Sequence, residues 1–221
     1  MLELAEEQNA IVVSPSYRLL PEATGGEILD DIAEFWEWVT SPALPDAISS
    51  RWPNLILNNT HVAVTGESAG GYLALQSAFL FQSEARQSIR VVMAQYPSMY
   101  PDVLDPYLVE HGDPFPNVPE NSEEIVNEYI DNLPPGSIRL SSPFPQNSEV
   151  AFSLRTSKRR PALMSDTRLE LGPSLDFAEK VPPLWILQGT DDTIVSLTFD
   201  TRKEVDRKLI RWQRFLLRLP K

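Results

Sequence analysis

The chain contains no cysteine and only two histidines, His61 and His111. The missing cysteines exclude disulfides, thiolate metal sites and a cysteine nucleophile. Two isolated histidines without cysteines predict no metal site. Glycine is scarce, nine in 221 residues, and no Gly-rich loop suited to cradling phosphates occurs, so no nucleotide cofactor is expected. No stretch approaches the ~20 apolar residues that span a bilayer. The opening MLELAEEQNA is acidic and lacks a basic region ahead of an apolar core. It does not read as a secretory signal, and the expectation is a cytoplasmic protein. Internal repeats and low-complexity tracts are absent as well.

What is present fits one soluble globular domain spanning 1–221, with 42% hydrophobic and 23% charged residues. The net charge of −12 disfavours nucleic acid as a partner. The charge is uneven. Arg202 to Lys221 holds eight basic and two acidic residues, a local net of +6, which leaves −18 on the remainder. That tail is read first as a solvated helix face. The alternatives are a contact with a polyanion or membrane surface, and a tail that is not the native ending. Nothing in the pattern selects an oligomeric state.

Short apolar runs alternate with amphipathic stretches. Ala10 to Ser14 (AIVVS), His61 to Thr65 (HVAVT), Ile89 to Ala94 (IRVVMA) and Leu184 to Leu187 (LWIL) have strand length. Residues 28, 29, 32, 35, 36 and 39 place apolar side chains at helical spacing. Further helices are expected from about Ala69 to Glu84, over Ser122 to Asn132, and in a stretch opened by Ser196. This order predicts an α/β fold, three layers deep, with a mostly parallel sheet between helices. The alternation breaks after Pro97, and ten of the twenty prolines fall between Pro97 and Pro145. Proline at that density does not fit sheet or helix interiors. Residues 98–181 are therefore expected to form an insertion, read as a lid over the C-terminal edge of the sheet, where ligands bind in this class.

Gly66-Glu67-Ser68-Ala69-Gly70 fits G-x-S-x-G, between an expected strand and an expected helix. Glycines suit a turn so tight that neighbouring side chains would clash, and the turn lifts the serine hydroxyl from the sheet edge. It also aims the Ala69 backbone N–H at a developing oxyanion, beside the positive end of the helix. The competing reading of Ser68 is an ordinary helix N-cap.

Two more stretches weigh on that choice. SYRLLPE (Ser16 to Glu22) follows the first apolar run and precedes a helix carrying the acidic pair Asp30-Asp31; GTDDTIV (Gly189 to Val195) follows the last run. Together with GESAGG, these resemble the hormone-sensitive-lipase-like branch of the α/β-hydrolase family, from Ala10 to about Val195. The resemblance implies hydrolysis of a small-molecule carboxylic ester through an acyl-enzyme. Ser68 would be the nucleophile, Asp192 the acid that orients the base, and Asp191 the fallback acid. A turn or N-cap aspartate is the competing reading of this pair.

Two of the family's parts have no counterpart. Its base is a histidine that follows the acid in sequence, yet the chain runs from Asp192 to Lys221 without one. His61 opens the strand leading to Ser68, roughly 15–20 Å from it at ~3.3 Å per residue. His111 lies within the insertion. An HGGG-type oxyanion loop is also missing; the glycine pairs are Gly25-Gly26 and Gly70-Gly71. The expectation is a hydrolase chain truncated at both ends and impaired in catalysis. The alternative is a non-catalytic small-molecule-binding module on the same scaffold.

Overall fold

The computed structural model describes residues 2–81, 89–98, 119–141, 148–171, 181–189, 192 and 213–219. At its centre is a four-stranded parallel sheet in the order β1 (Val62–Glu67), β2 (Ile89–Gln95), β3 (Leu184–Gly189), β4 (Gln213–Leu219). In β2 and β3 one face is buried and the other half open. Val92 sits opposite Leu184, and Ala94 opposite Ile186, all essentially inaccessible. On the alternate face Trp185 is 37% exposed. This is the period of two expected of a strand whose two faces meet different surroundings.

The buried face meets α2 (Gly25–Thr40) and α4 (Ala69–Phe79). Between them in sequence lies α3 (Ala43–Arg51), and ahead of them a short α1 (Leu2–Glu7). The register of α2 follows its apolar spacing: Leu29, Ile32, Trp36 and Val39 are buried. Its start is fixed by a capping box. The Glu27 backbone N–H donates to the Thr24 hydroxyl, and the Glu27 carboxylate accepts from the Thr24 backbone N–H at 2.7 Å. Helix α4 is apolar nearly all round, as a helix enclosed by sheet and helices must be, and every residue from Gly71 to Phe79 is buried.

The described residues between 98 and 181 contribute α5 (Ser122–Asp131), α6 (Ser148–Thr156), α7 (Arg160–Leu163) and a 3₁₀ turn at Thr167–Leu169. Among the described residues, two places tie this segment to the rest of the fold. The Tyr72 hydroxyl of α4 donates to the Leu169 carbonyl, and Gln76 Nε2 donates to the Arg168 carbonyl at 3.0 Å. At the other place, the Leu19 N–H donates to the Arg139 carbonyl, and the Arg139 guanidinium donates to the Leu20 carbonyl and pairs with Glu22.

The Tyr-Arg-Leu-Leu-Pro-Glu segment is thus a structural hub. Arg18 pairs with Asp31 at 2.8 Å and Glu27 at 3.1 Å, while Glu22 accepts from the Tyr129 hydroxyl at 2.6 Å. Asp30, the other half of the acidic pair, instead binds Arg168 at 2.7 Å.

Two expectations need correction, and one element is additional. Ala10–Ser14 forms no strand, and Ile11, Val12 and Val13 are 40–50% exposed. An apolar run becomes a strand only when another strand satisfies its backbone groups, and none does so among the described residues. Helix α3 has no counterpart among the expected elements. Pro42 and Pro45 sit at the N-cap and first turn, where a missing N–H costs nothing. Strand β4 lies within the tail read as a helix face. The helix expected after Ser196 lies outside the described residues, as does the C-terminal end of the helix expected to reach Glu84.

Candidate active site

The four described strands are parallel, so the residues that follow them gather along one edge. Ser68 follows β1, Tyr96 follows β2 and Asp192 follows β3. Neighbouring strands lie about 4.8 Å apart, so two strand spacings, roughly 10 Å, separate the exits of β1 and β3.

Ser68 occupies the turn between β1 and α4 with φ 51° and ψ −118°. A non-glycine residue there stores on the order of 1–3 kcal/mol of backbone strain. Its side chain makes no capping hydrogen bond to α4, and the residue is exposed. The first-turn amides of α4, Ala69 included, have no intrahelical acceptor and mark the positive end of the helix.

The strained backbone is clasped by the segment after β2. The Ser68 N–H donates to the Gln95 carbonyl at 3.0 Å, and the Ser98 N–H donates to the Ser68 carbonyl at 3.1 Å. The glycines permit this closeness unequally. A Cβ on Gly66 would lie 2.2 Å from the Gly70 carbonyl oxygen. One on Gly71 would lie 3.0 Å from the Gln95 oxygen and 3.2 Å from Pro97 Cα. At Gly70 a Cβ would meet nothing within 4 Å. The steric demand therefore falls on Gly66 and Gly71, whereas the sequence reading placed it on Gly66 and Gly70.

Asp192 is half-buried. Its Oδ2 accepts from Gln188 Nε2 at 3.1 Å, and its N–H turns back to the Gly189 carbonyl at 3.4 Å. Tyr96 stands between the two sides of the edge. Its hydroxyl donates to Glu67 Oε2 at 2.5 Å and its N–H to the Leu187 carbonyl at 2.7 Å. The bond to Glu67 pushes the Tyr96 phenol pKa up, with burial and the nearby charges of Glu67 and Asp192 adding to it.

His61 sits exposed at the opposite end of β1, its Nδ1 within hydrogen-bond distance of the Thr60 hydroxyl (3.0 Å). His111 and Asp191 lie outside the described residues. Among the described residues no three acidic or histidine side chains form a metal-ligating group, and no helix is long and apolar enough to cross a membrane. Sequence reading missed Tyr96, Gln188 and Gly71. The usable signal was positional, since the residue straight after any parallel strand reaches the same edge as Ser68.

A parallel sheet flanked by helices, with a strained serine at a strand–turn–helix junction on its C-terminal edge, defines an α/β protein of the hydrolase type. The sequence profile of the alpha/beta hydrolase fold family matches residues 1–197, and the chain belongs to that family. A probable carboxylesterase M8 of Phoma sp. is 32% identical over 204 residues, 88% of this chain and 61% of that protein. A probable carboxylesterase clz11 of Cochliobolus lunatus is 35% identical, with 85% of this chain aligned to 86% of it. Among solved structures, the carboxylesterase EstE1 from a metagenomic library superposes with a TM-score of 0.53 at 20% identity, over 98% of this chain and 60% of that one. The Pyrobaculum calidifontis esterase gives a TM-score of 0.52 at 19% identity, over 98% and 58%. The chain thus spans about three fifths of the length of several proteins it resembles.

Proposed function

We propose that this chain is a carboxylic ester hydrolase scaffold in which Ser68 attacks the ester carbonyl and Asp192 orients the base. The observation that carries this reading is Ser68 itself. It is held at φ 51° with no capping role, on the same sheet edge as Asp192. Strain of this kind persists where the surroundings over-determine it, and the hydroxyl it presents is free for chemistry. The Ala69 N–H would stabilise the oxyanion of the tetrahedral intermediate. Residues 98–181 would supply a lid and the acyl pocket. The carboxylesterase relatives support ester substrates.

The base is the weak point of the machinery. No histidine follows Asp192 within the 221 residues. Loss of a triad histidine costs on the order of 10⁶ in kcat in subtilisin, the handiest reference case. An enzyme turning over at ~10 s⁻¹ would then fall below ordinary detection. The 221 residues assayed by themselves, with no histidine after Asp192, are expected to hydrolyse esters far below that rate. A second reading, a pocket that binds a small ester-like molecule without turning it over, would use the same exposed edge around Ser68.

Hydrolysis of p-nitrophenyl butyrate by the purified chain, with Ser68→Ala as control, tests the first reading. Activity lost in the variant establishes Ser68 chemistry and makes His111 the next target for substitution. Equal, blank-level rates in two folded proteins refute an active hydrolase and leave the binding reading, which ligand-induced shifts in the melting temperature would then probe.

A further inference from the structure

We propose that Tyr96 is a positioning residue for Ser68, acting through Glu67, the residue that leads into the strained turn. The inference rests on Ser68 being the working residue of this edge.

Two uncommon backbone conformations face each other across β1 and β2. Ser68 has φ 51° and Tyr96 has φ 35°, a region an aromatic residue rarely occupies. Their predecessors, Glu67 and Gln95, are register partners at the last rung of the ladder. Tyr96 is fixed from three sides. Its N–H is tied to Leu187 on β3, the preceding carbonyl (Gln95) accepts from Ser68, and the following Pro97 restricts the chain. A tyrosine so constrained can present its phenol in few directions, and the one it takes is Glu67 Oε2, at 2.5 Å.

The consequence follows from how the turn could relax. Rotating the peptide between Glu67 and Ser68 would relieve the positive φ of Ser68, but it would also turn the Ser68 N–H away from the Gln95 carbonyl. Backbone bonds alone resist that rotation at Ser68. The phenol resists it at Glu67, by anchoring that residue's side chain to the neighbouring strand. The bond needs a protonated phenol, and its surroundings, with Asp192 close by, keep the proton on. Glu67 and Tyr96 are both solvent-accessible, so the pair is not there to satisfy buried groups.

The test compares hydrogen exchange at the Ser68 amide in the unaltered chain, Tyr96→Phe and Glu67→Gln, with thermal melts of each. Losing a hydrogen bond to a charged acceptor should accelerate Ser68 exchange about tenfold in Tyr96→Phe. Amides of α2 and the melting transition should stay as they were. Glu67→Gln keeps an acceptor oxygen and should stay within about threefold of the unaltered chain. Where the unaltered chain hydrolyses p-nitrophenyl butyrate, Tyr96→Phe should lower kcat and leave KM in place. Ser68 exchange within about twofold of the unaltered chain in Tyr96→Phe, or exchange accelerated equally throughout α2, overturns the proposal. The exchange readout needs no turnover, so a chain without Ser68-dependent hydrolysis would sink the hydrolase reading without deciding the role of Tyr96.

Discussion

The serine turn makes a sharp prediction about two glycines four residues apart. At Gly66 an alanine methyl would sit 2.2 Å from the Gly70 carbonyl oxygen, 2.3 Å from its carbon and 2.8 Å from the Gly71 nitrogen. All three are backbone atoms, so relief requires moving the start of α4 off β1 by most of an ångström. Helix α4 is buried along its length, and that shift propagates into Leu73, Leu75 and Phe79. Overpacking costs 1–3 kcal/mol where side chains can yield, and a backbone overlap should reach at least ~3 kcal/mol. At Gly70 the same methyl enters open space, and the backbone there is helical. Alanine restricts the unfolded chain and favours helix, a gain of roughly 0.5–1 kcal/mol. The two variants should therefore differ by about 4 kcal/mol, or roughly 2 M in urea midpoint at a slope near 2 kcal/mol/M. Tryptophan-monitored urea unfolding measures this directly. Equal midpoints, or a Gly70→Ala variant less stable than Gly66→Ala, would refute the steric assignment.

Other expectations follow from the packing around the site. Arg139→Ala should cost about 3–5 kcal/mol, because it leaves the Glu22 carboxylate, whose side chain is only 4% exposed, without its cation; a loss under 1 kcal/mol in denaturant unfolding would contradict the buried pairing. Ile186→Ala, at a position 1% exposed on β3, should cost about 2–5 kcal/mol in the same assay. The Thr24 backbone and hydroxyl donors hold the Glu27 carboxylate below its ordinary pKa of 4.5, so the unfolded chain binds that proton more readily. The resulting stabilisation is complete above pH 4.5 and disappears as pH falls through the lower folded value. Melting temperatures from pH 5 to pH 3 should accordingly fall less steeply in Glu27→Gln than in the unaltered chain.

Much of this fold could be read residue by residue. The spacing of Leu29, Ile32, Trp36 and Val39 located the core face of α2, and the apolar runs at 89–94 and 184–187 became β2 and β3 with one or two residues added. These elements carry their own signal, because burial on one side dictates a period. The run at 10–14 has the same composition and forms no strand, because pairing depends on a neighbour that local composition cannot specify. At the site, Ser68 stood out through its glycines. Tyr96 did not, because its importance comes from a positive φ and from the register that sets Gln95 beside Glu67. Both are properties of the assembled sheet. The same holds for Gly71, whose missing side chain matters only once Pro97 has been brought against it.

The junction of Arg139 with Leu19, Leu20 and Glu22 bears on the order in which the chain can fold. The bond from Arg139 to the Leu20 carbonyl joins residues 119 apart in sequence. At ~5–20 residues per second, a ribosome takes roughly 6–24 s to cover that interval. During that time Glu22 has neither Arg139 nor Tyr129, and β3 does not yet exist to complete the core beneath α2 and α4. Helix α2 can form early, since its capping box and its Arg18–Asp31 pair are local. The segment before it settles only when the second half of the chain arrives. The newborn first half would therefore display the apolar faces of α2 and α4 for many seconds, a natural client for chaperones that hold nascent chains.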